Sequence, residues 1–454
     1  MAATTLAVMA IVAPLTSGSA HGAPVKPVLA PLASAARALA LTSGPEGDVW
    51  FAGHRGPYEF DALPGPPASG IVGKVTPEGA LTELSTGVDR KVTGIAAGSD
   101  GALWVTQEGE PEILRVSTAG QFSSFPLPTS SGAPTSIAAG PDGALWFTES
   151  ASDRIGRITT AGAVSQFPLP AGSEATKVIA GSGGDLWVAA PGTDSIDRVE
   201  AAGGAVTSFP IGGGAKNRPI DLALGPEGGV YFTQRVKRIG HIAPDGKVGE
   251  LPLAHPARLV SGGPDGVLWF TTATSPGKEG PSSNGIASIT PEGHPTYGAC
   301  HKECDADLAA LTPGPGGALW FATETRFVHG GGAAGLAAQE EPGFVGSYRP
   351  APPALRVAGS GRIGGAKARL GVDCRRGVAG ERCKGRLTLK ASAKGAGSLR
   401  VGSVGFDLFS GEGTTVTMHL SRRARRLLRA GPLTAMVVSN ARLVGGAPKV
   451  KLLP

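Results

Sequence analysis

The stretch GPDGALWFTESASDRIGRITTAGAVSQFPLP, Gly140–Pro170, holds no cluster of catalytic side chains, yet its pattern returns along the whole chain. Its opening, Gly-x-x-Gly-x-[Leu/Val]-[Trp/Tyr]-[Phe/Val], begins at Gly44, Gly98, Gly140, Gly181, Gly225, Gly263 and Gly314. Every Trp of the chain falls in this motif, at Trp50, Trp104, Trp146, Trp187, Trp269 and Trp320, and Tyr231 takes the remaining place. Successive aromatics lie 54, 42, 41, 44, 38 and 51 residues apart. A period of this size marks an array of supersecondary units, each unable to bury its apolar face alone.

Within one copy the local physics is legible. TSIAAG is a short apolar strand, and PDG is a turn whose glycine supplies positive φ. ALWFTE is aromatic and alternating, as a packed strand should be. RIGRITT places two isoleucines on one face, and VSQFPLP ends in prolines that cannot sit in a central ladder. Four antiparallel strands in about 40 residues make one propeller blade. Seven copies predict an all-β, seven-bladed β-propeller over residues 23–350. The seventh copy lacks its fourth strand after FVGSYRP, whereas APVKPVLAPLA, ahead of the first copy, resembles the fourth-strand pattern. The N-terminal segment is therefore expected to pair with the last blade and close the ring, which removes exposed sheet edges.

The 454 residues contain 71 Gly, a load that suits many tight turns better than long helices. Residues 1–22 read as an export signal: an apolar stretch from Thr5 to Leu15, then small residues, with cleavage after Ala20 or Gly22. No Lys or Arg precedes that stretch. After signal removal no proline-free apolar run is long enough for a membrane-spanning helix. The cysteines form two close pairs, Cys300 with Cys304 and Cys374 with Cys383. Two local disulfides in an oxidising compartment suit this spacing; metal binding is the weaker alternative, because neither pair has the gap of a zinc knuckle. The protein is expected to be secreted or envelope-associated, and monomeric.

Charge is split along the chain. From Ala351 onward, 20 Lys and Arg face 4 Asp and Glu, a balance of +16; the preceding residues carry −10. A proline-stiffened linker, 351–357, leads to short alternating segments that predict a basic β-sandwich over 358–454. It is similar to immunoglobulin-like tail modules of exported bacterial proteins. SRRARRLLRAG interrupts it as a short helix, capped by Ser421 and stopped at Gly431, with Leu427 and Leu428 inward. Its arginines suit an anionic cell-envelope polymer better than nucleic acid.

The blade consensus GPDGALWFTE…RIGRITTAG…FPLP resembles the streptogramin B (virginiamycin B) lyases, and more broadly the NHL-type and gluconolactonase-like propellers. That resemblance implies elimination at an ester of a cyclic depsipeptide, with a histidine base and a Mg²⁺ held by carboxylates. In the family a Glu-x-His stands on an inner strand, the histidine eleven residues before the Trp, and a Glu follows that Trp by three. Here the histidine register holds Leu39, Thr93, Thr135, Thr176, Ile220, Arg258 and Ala309. In the sixth copy the three positions read Pro256, Arg258 and Thr272, and His255 is three residues out of register. Only the third copy keeps the later carboxylate, Glu149. The family's chemistry does not transfer position by position, since an arginine cannot act as a general base.

Another site is suggested by long second-to-third-strand insertions in copies six, seven and one and by the connector CHKECDAD. In a closed ring these share one side of one face, as a wall holding His54, His255, Arg258, His301, Glu303, Asp305, Asp307, Glu324, Arg326 and His329. A solvated loop set, stapled by a bond between Cys300 and Cys304, is the plainer reading of such residues; a pocket for a small-molecule or peptide ligand is the functional one. Three functions stand open: a ligand-binding, degenerate member; a metal-dependent lyase or lactonase-like enzyme with a rearranged site, then with Mg²⁺; and a purely structural module.

Overall fold

The computed structural model describes residues 28–33, 36–56, 69–87, 90–128, 132–212, 218–234, 236–263, 267–272, 285–289, 295–297, 308–323, 326–328, 339–341, 343–348, 354–364, 367–375, 382–393, 397–409, 413–422, 424–425, 433–439 and 449–453. The export signal lies outside them. Two compact units are present: Lys26–Arg349, and a second containing Pro350–Pro454.

The first unit is a seven-bladed propeller. Each of the first six repeats forms one four-stranded antiparallel sheet with strands in chain order. Blade 3 shows the plan, with strands Pro134–Ala139, Leu145–Glu149, Arg154–Ile158 and Val164–Pro168. Blade 1 begins at Ala36, blade 2 at Val92, blade 4 at Lys177, blade 5 at Pro219, blade 6 at Ala257 and blade 7 at Leu308. First strands of neighbouring blades pack together around the ring, including those of blades 7 and 1. Blade 7 is completed by Leu29–Pro31, which pairs antiparallel with Phe344–Tyr348 in the register Leu29↔Gly346, Ala30↔Val345 and Pro31↔Phe344. Val28 and Leu32 extend that bond row through Ser347 N–H to Val28 O and Leu32 N–H to Gly343 O, both 2.9 Å. The sequence expectation of closure by the N-terminal segment is met.

The motif's aromatic works between blades. Trp146 of blade 3 is fully buried among Val178, Leu186, Val188 and Val199 of blade 4. Trp50 packs likewise into blade 2, Trp104 into blade 3, Tyr231 into blade 6, and Trp320 of blade 7 into blade 1. Both motif glycines are structural. A Cβ on Gly140 would overlap the indole edge of Trp146, and Gly143 sits at φ 76°. The turn acid between them is engaged within its own blade: Asp142 accepts Trp146 Nε1–H at 3.1 Å and Ala144 N–H at 3.3 Å, and pairs with Arg157 of the third strand. Asp100 repeats the arrangement with Trp104 and Arg115.

These carboxyls tie stability to pH. Burial opposes ionisation of Asp100 and Asp142, but hydrogen bonds from the arginines, indoles and backbone outweigh it, so both pKa values lie below the ordinary 3.8. Asp153 is lowered first by the Gly172 N–H bond. A group whose folded pKa is depressed stabilises the fold above its unfolded value and loses that contribution as pH falls through the folded one. Thermal melts should therefore hold near neutral pH and drop steeply below pH 3.8. Asp142→Asn should flatten part of that acid limb; an unchanged limb would contradict the assignment.

The second unit is also all-β. Its strands, Ala354–Gly364, Lys367–Arg375, Arg382–Ala393, Gly397–Phe409, Gly413–Leu420, Leu433–Ser439 and Lys449–Leu453, bond in one cyclic order. A parallel pair between the first and last strands closes the cycle. The segments read as a sandwich thus join at their edges into a closed barrel. Inside lie Ala368, Leu370, Val372, Leu387, Leu389, Val401, Val416, Met418 and Leu420. Of the two disulfides expected from the sequence, the one between Cys374 and Cys383 is present and buried in this core. The other expected disulfide, between Cys300 and Cys304, is not seen among the described residues, because Cys300 and Cys304 both lie outside them. Ser421 caps a helical turn as expected, accepting Ala424 N–H at 3.2 Å; Leu427 and Leu428 lie outside the described residues.

Candidate functional site

The first strands of all seven blades surround an axial channel of about 530 Å³. The sequence positions eleven and ten residues before each aromatic lie at or near the start of these strands, and the family's histidine register meets the channel in five blades of seven; Ile220 and Arg258 are not among the lining residues. Leu39, Thr93, Thr135, Thr176 and Ala309 from that register line it.

The backbone here explains the side chains. A bulge interrupts the first strand of most blades, between Pro134 and Ser136 in blade 3 and between Ala257 and Val260 in blade 6. A bulge frees backbone groups from the ladder, and buried groups need other partners. Ser136 Oγ accepts Val178 N–H of blade 4 at 3.3 Å, and Asp221 Oδ2 accepts Val260 N–H of blade 6 at 3.0 Å. Asp221 Oδ1 also pairs with Lys177 Nζ at 3.1 Å. Lys177 and Asp221 occupy the same slot in adjacent blades, and both line the channel. Thr93 and Thr135 hydrogen-bond to Thr106 and Thr148 of their own blades at 2.9 and 2.8 Å.

Charge in the lining is one-sided. Lys177 and Asp221 come from blades 4 and 5 and the hydroxyls Thr93, Thr135, Ser136 and Thr176 from blades 2 to 4, beside Ile95, Ile137, Ile179 and Leu222 of the same blades; blades 6, 7 and 1 contribute mainly Leu259, Val260, Ala309, Ala310, Leu39 and Leu41. Sequence reading tested these register positions only for an absent imidazole and missed the ion pair. The signal was a Lys in copy four and an Asp in copy five, each ten residues before the aromatic.

The sixth-blade positions carry other chemistry than a base and a metal. Arg258 is exposed, and its carbonyl accepts Thr233 Oγ1–H at 2.7 Å. Thr272 is buried and donates to Gly285 O at 3.3 Å. With a guanidinium, a proline and a hydroxyl in the three slots, these residues do not fit Mg²⁺ held by carboxylates. In blade 3, Glu149 is fully buried and its oxygens are engaged by Ser152 Oγ–H at 3.0 Å and Gln166 Nε2–H at 2.6 Å. It is an internal acceptor that fixes the following turn. Among the described residues no group of three His, Cys, Asp or Glu is placed to hold a metal ion.

The predicted wall is only partly visible. His54 stands in the second strand of blade 1, buried and opposite Arg37 in the ladder, which is itself buried. His255 is half-buried in the connector entering blade 6. Part of the blade 7 insertion forms a two-stranded ribbon, Arg326–Val328 with Gln339–Glu341, that sets Arg326 opposite Glu341. His301, Glu303, Asp305, Asp307, Glu324 and His329 lie outside the described residues, as do Cys300 and Cys304, the expected staple of the connector.

Known structures share this propeller. A streptogramin B lyase is 23% identical with a TM-score of 0.56, over 71% of this chain and 97% of that one. Selenomethionine-substituted virginiamycin B lyase from Staphylococcus aureus is 23% identical with a TM-score of 0.57, over 71% and 98%. A catalytically inactive histidine-to-alanine form of that enzyme, with quinupristin, is 24% identical with a TM-score of 0.56, over 71% and 98%. A search of the curated proteins finds no match. The profile of the Virginiamycin B lyase family matches residues 33–329, and over that propeller the chain belongs to the family.

Proposed function

We propose that the propeller is an exported, non-catalytic ligand-binding member of its family, which takes an amphipathic small molecule or peptide at the axial channel. The observation that carries this reading is the substitution of Pro256, Arg258 and Thr272 at the family's three catalytic positions, in a propeller that retains an open channel. Arginine stays protonated at neutral pH, so the exchange removes the group that takes the proton in the family's elimination. A volume of about 530 Å³ suits a ligand or the buried part of a larger one. Hydroxyls and the Lys177–Asp221 pair would hold the polar edge, and the leucines and alanines of blades 6, 7 and 1 the apolar edge. Export is supported by the Cys374–Cys383 disulfide and by the apolar N-terminal segment.

Calorimetric titration with quinupristin, present in a relative's structure, tests the site. Wild type should bind, and Lys177→Ala and Thr135→Val should each weaken binding about tenfold, or about 1.4 kcal/mol. Equal affinity in all three proteins, or no heat at all, would contradict a channel site for this class of ligand.

A further inference from the structure

We infer that the basic barrel carries a docking furrow for a linear phosphodiester polymer, of the kind formed by phosphate-linked sugars or polyols. Alternation along its strands sends apolar side chains inward and cations outward. Lys367 and Arg369 are exposed on one strand, and Lys384, Arg386 and Lys390 on another. These two strands flank Gly413–Leu420 and Gly397–Phe409 in the order of the barrel. The ladder sets Lys367 opposite His419 and Arg369 opposite Thr417, and on the other side Arg386 opposite Gly405. His419 and Ser403 pair between them.

Two rails of cations thus border a floor of small polar residues, separated by three strand spacings, or about 14 Å. Thr415, Thr417 and Gly405 on that floor are exposed. On this face two acids add negative charge: Asp407, paired with Lys384 at 3.8 Å, and Asp373, at the far end of the strand of Lys367 and Arg369. The module's balance of +16 demands a polyanion more than a single ion.

The surface selects among polyanions. No Trp or Tyr follows Ala351, and of its two Phe, Phe406 is buried, so the described side chains of the face include no platform for stacked bases. Among the described residues the exposed large hydrophobics are Leu29 and Val248, both in the propeller, so no described apolar anchor serves membrane insertion here. Successive phosphates of a chain lying along the face can meet donors of one rail or the other, each phosphate keeping non-bridging oxygens free for charge-assisted hydrogen bonds.

Long-chain inorganic polyphosphate is the probe, with alginate, duplex DNA and phosphatidylglycerol vesicles compared at equal anionic charge, using the full chain. Polyphosphate should bind tightest, and its affinity should fall on the order of 50-fold between 50 and 200 mM salt, as about four neutralised phosphates require. Lys367→Gln/Arg369→Gln/Arg386→Gln/Lys390→Gln should lose at least about tenfold in affinity and most of the salt dependence, with its melting temperature and Cys374–Cys383 bond checked alongside. Asp407→Asn, which removes an acid from the face, should bind more tightly than wild type. Tighter binding of alginate, DNA or vesicles, wild-type affinity in a folded quadruple variant, or no gain in Asp407→Asn would each overturn the furrow.

Discussion

Gly156→Leu is expected to destabilise the propeller by about 3 kcal/mol or more, and Phe147→Val in the same chain should recover a large part of that loss. A Cβ on Gly156 would overlap the Phe147 ring, its partner across the ladder. The repeats vary this pair together: Phe51 faces Gly73, Phe232 faces Gly240, Phe321 faces Gly346 and Phe270 faces Ala287. Where the second strand carries a valine instead, the partner has a full side chain, Leu114 opposite Val105 and Asp197 opposite Val188. One volume is thus filled from either strand. Phe147→Val alone should cost about 1–3 kcal/mol through the space it leaves. Denaturant unfolding of the four proteins gives the coupling; additive losses would show that the two side chains do not share that space. The Asp197 solution has its own cost. Burial holds its carboxyl above the ordinary range, against hydrogen bonds from Ser208 and Ser195. Its contribution to stability therefore weakens as pH rises from below 3.8 through its folded pKa.

Removing the N-terminal closing strand is expected to be the most damaging change of all. A chain that starts at Ala36 lacks Leu29–Pro31, and with it the ladder to Phe344–Tyr348 and the buried side chains of Ala30 and Leu32. Burial of those two side chains contributes about 2–3 kcal/mol and the lost hydrogen bonds about 1 kcal/mol each. The total approaches a typical domain's whole stability. The freed third strand of blade 7 would also become an exposed edge, open to pairing with another copy. Size-exclusion chromatography should show aggregation, and heating should no longer give a single cooperative propeller transition. A monomer that melts like wild type would mean that the ring does not depend on this strand.

The propeller was legible because its determinants are local and repeated. Motif glycines such as Gly140 and Gly143 answer to the indole beside them or to a positive φ, and the turn acids Asp100 and Asp142 answer to the Trp and Arg that they bond. Closure was legible because one copy lacked a strand that another segment could supply. The site was harder to read, for a physical reason. Lys177 and Asp221 are 44 positions apart and meet because blades 4 and 5 put the same slot side by side. The one-sided charge of the channel likewise emerges only when seven first strands are set in a ring. Histidine register could be tested by counting, but the use of those positions depends on contacts between blades, such as Ser136 Oγ with Val178 N–H and Asp221 Oδ2 with Val260 N–H at the bulge of blade 6. The barrel's cyclic bonding was missed because alternation reveals a strand's two faces and not which strands close the edges.

The account rests on a lyase propeller whose base has been exchanged for a guanidinium, and ring opening of quinupristin tests it most directly. Elimination leaves the mass unchanged, so the linear product is read by chromatographic retention and fragmentation, with and without added Mg²⁺. The account predicts intact cyclic depsipeptide after hours with excess protein, at a level equal to the protein-free control. Protein-dependent accumulation of the linear form, lost on Arg258→Ala or on chelation of the metal, would contradict it.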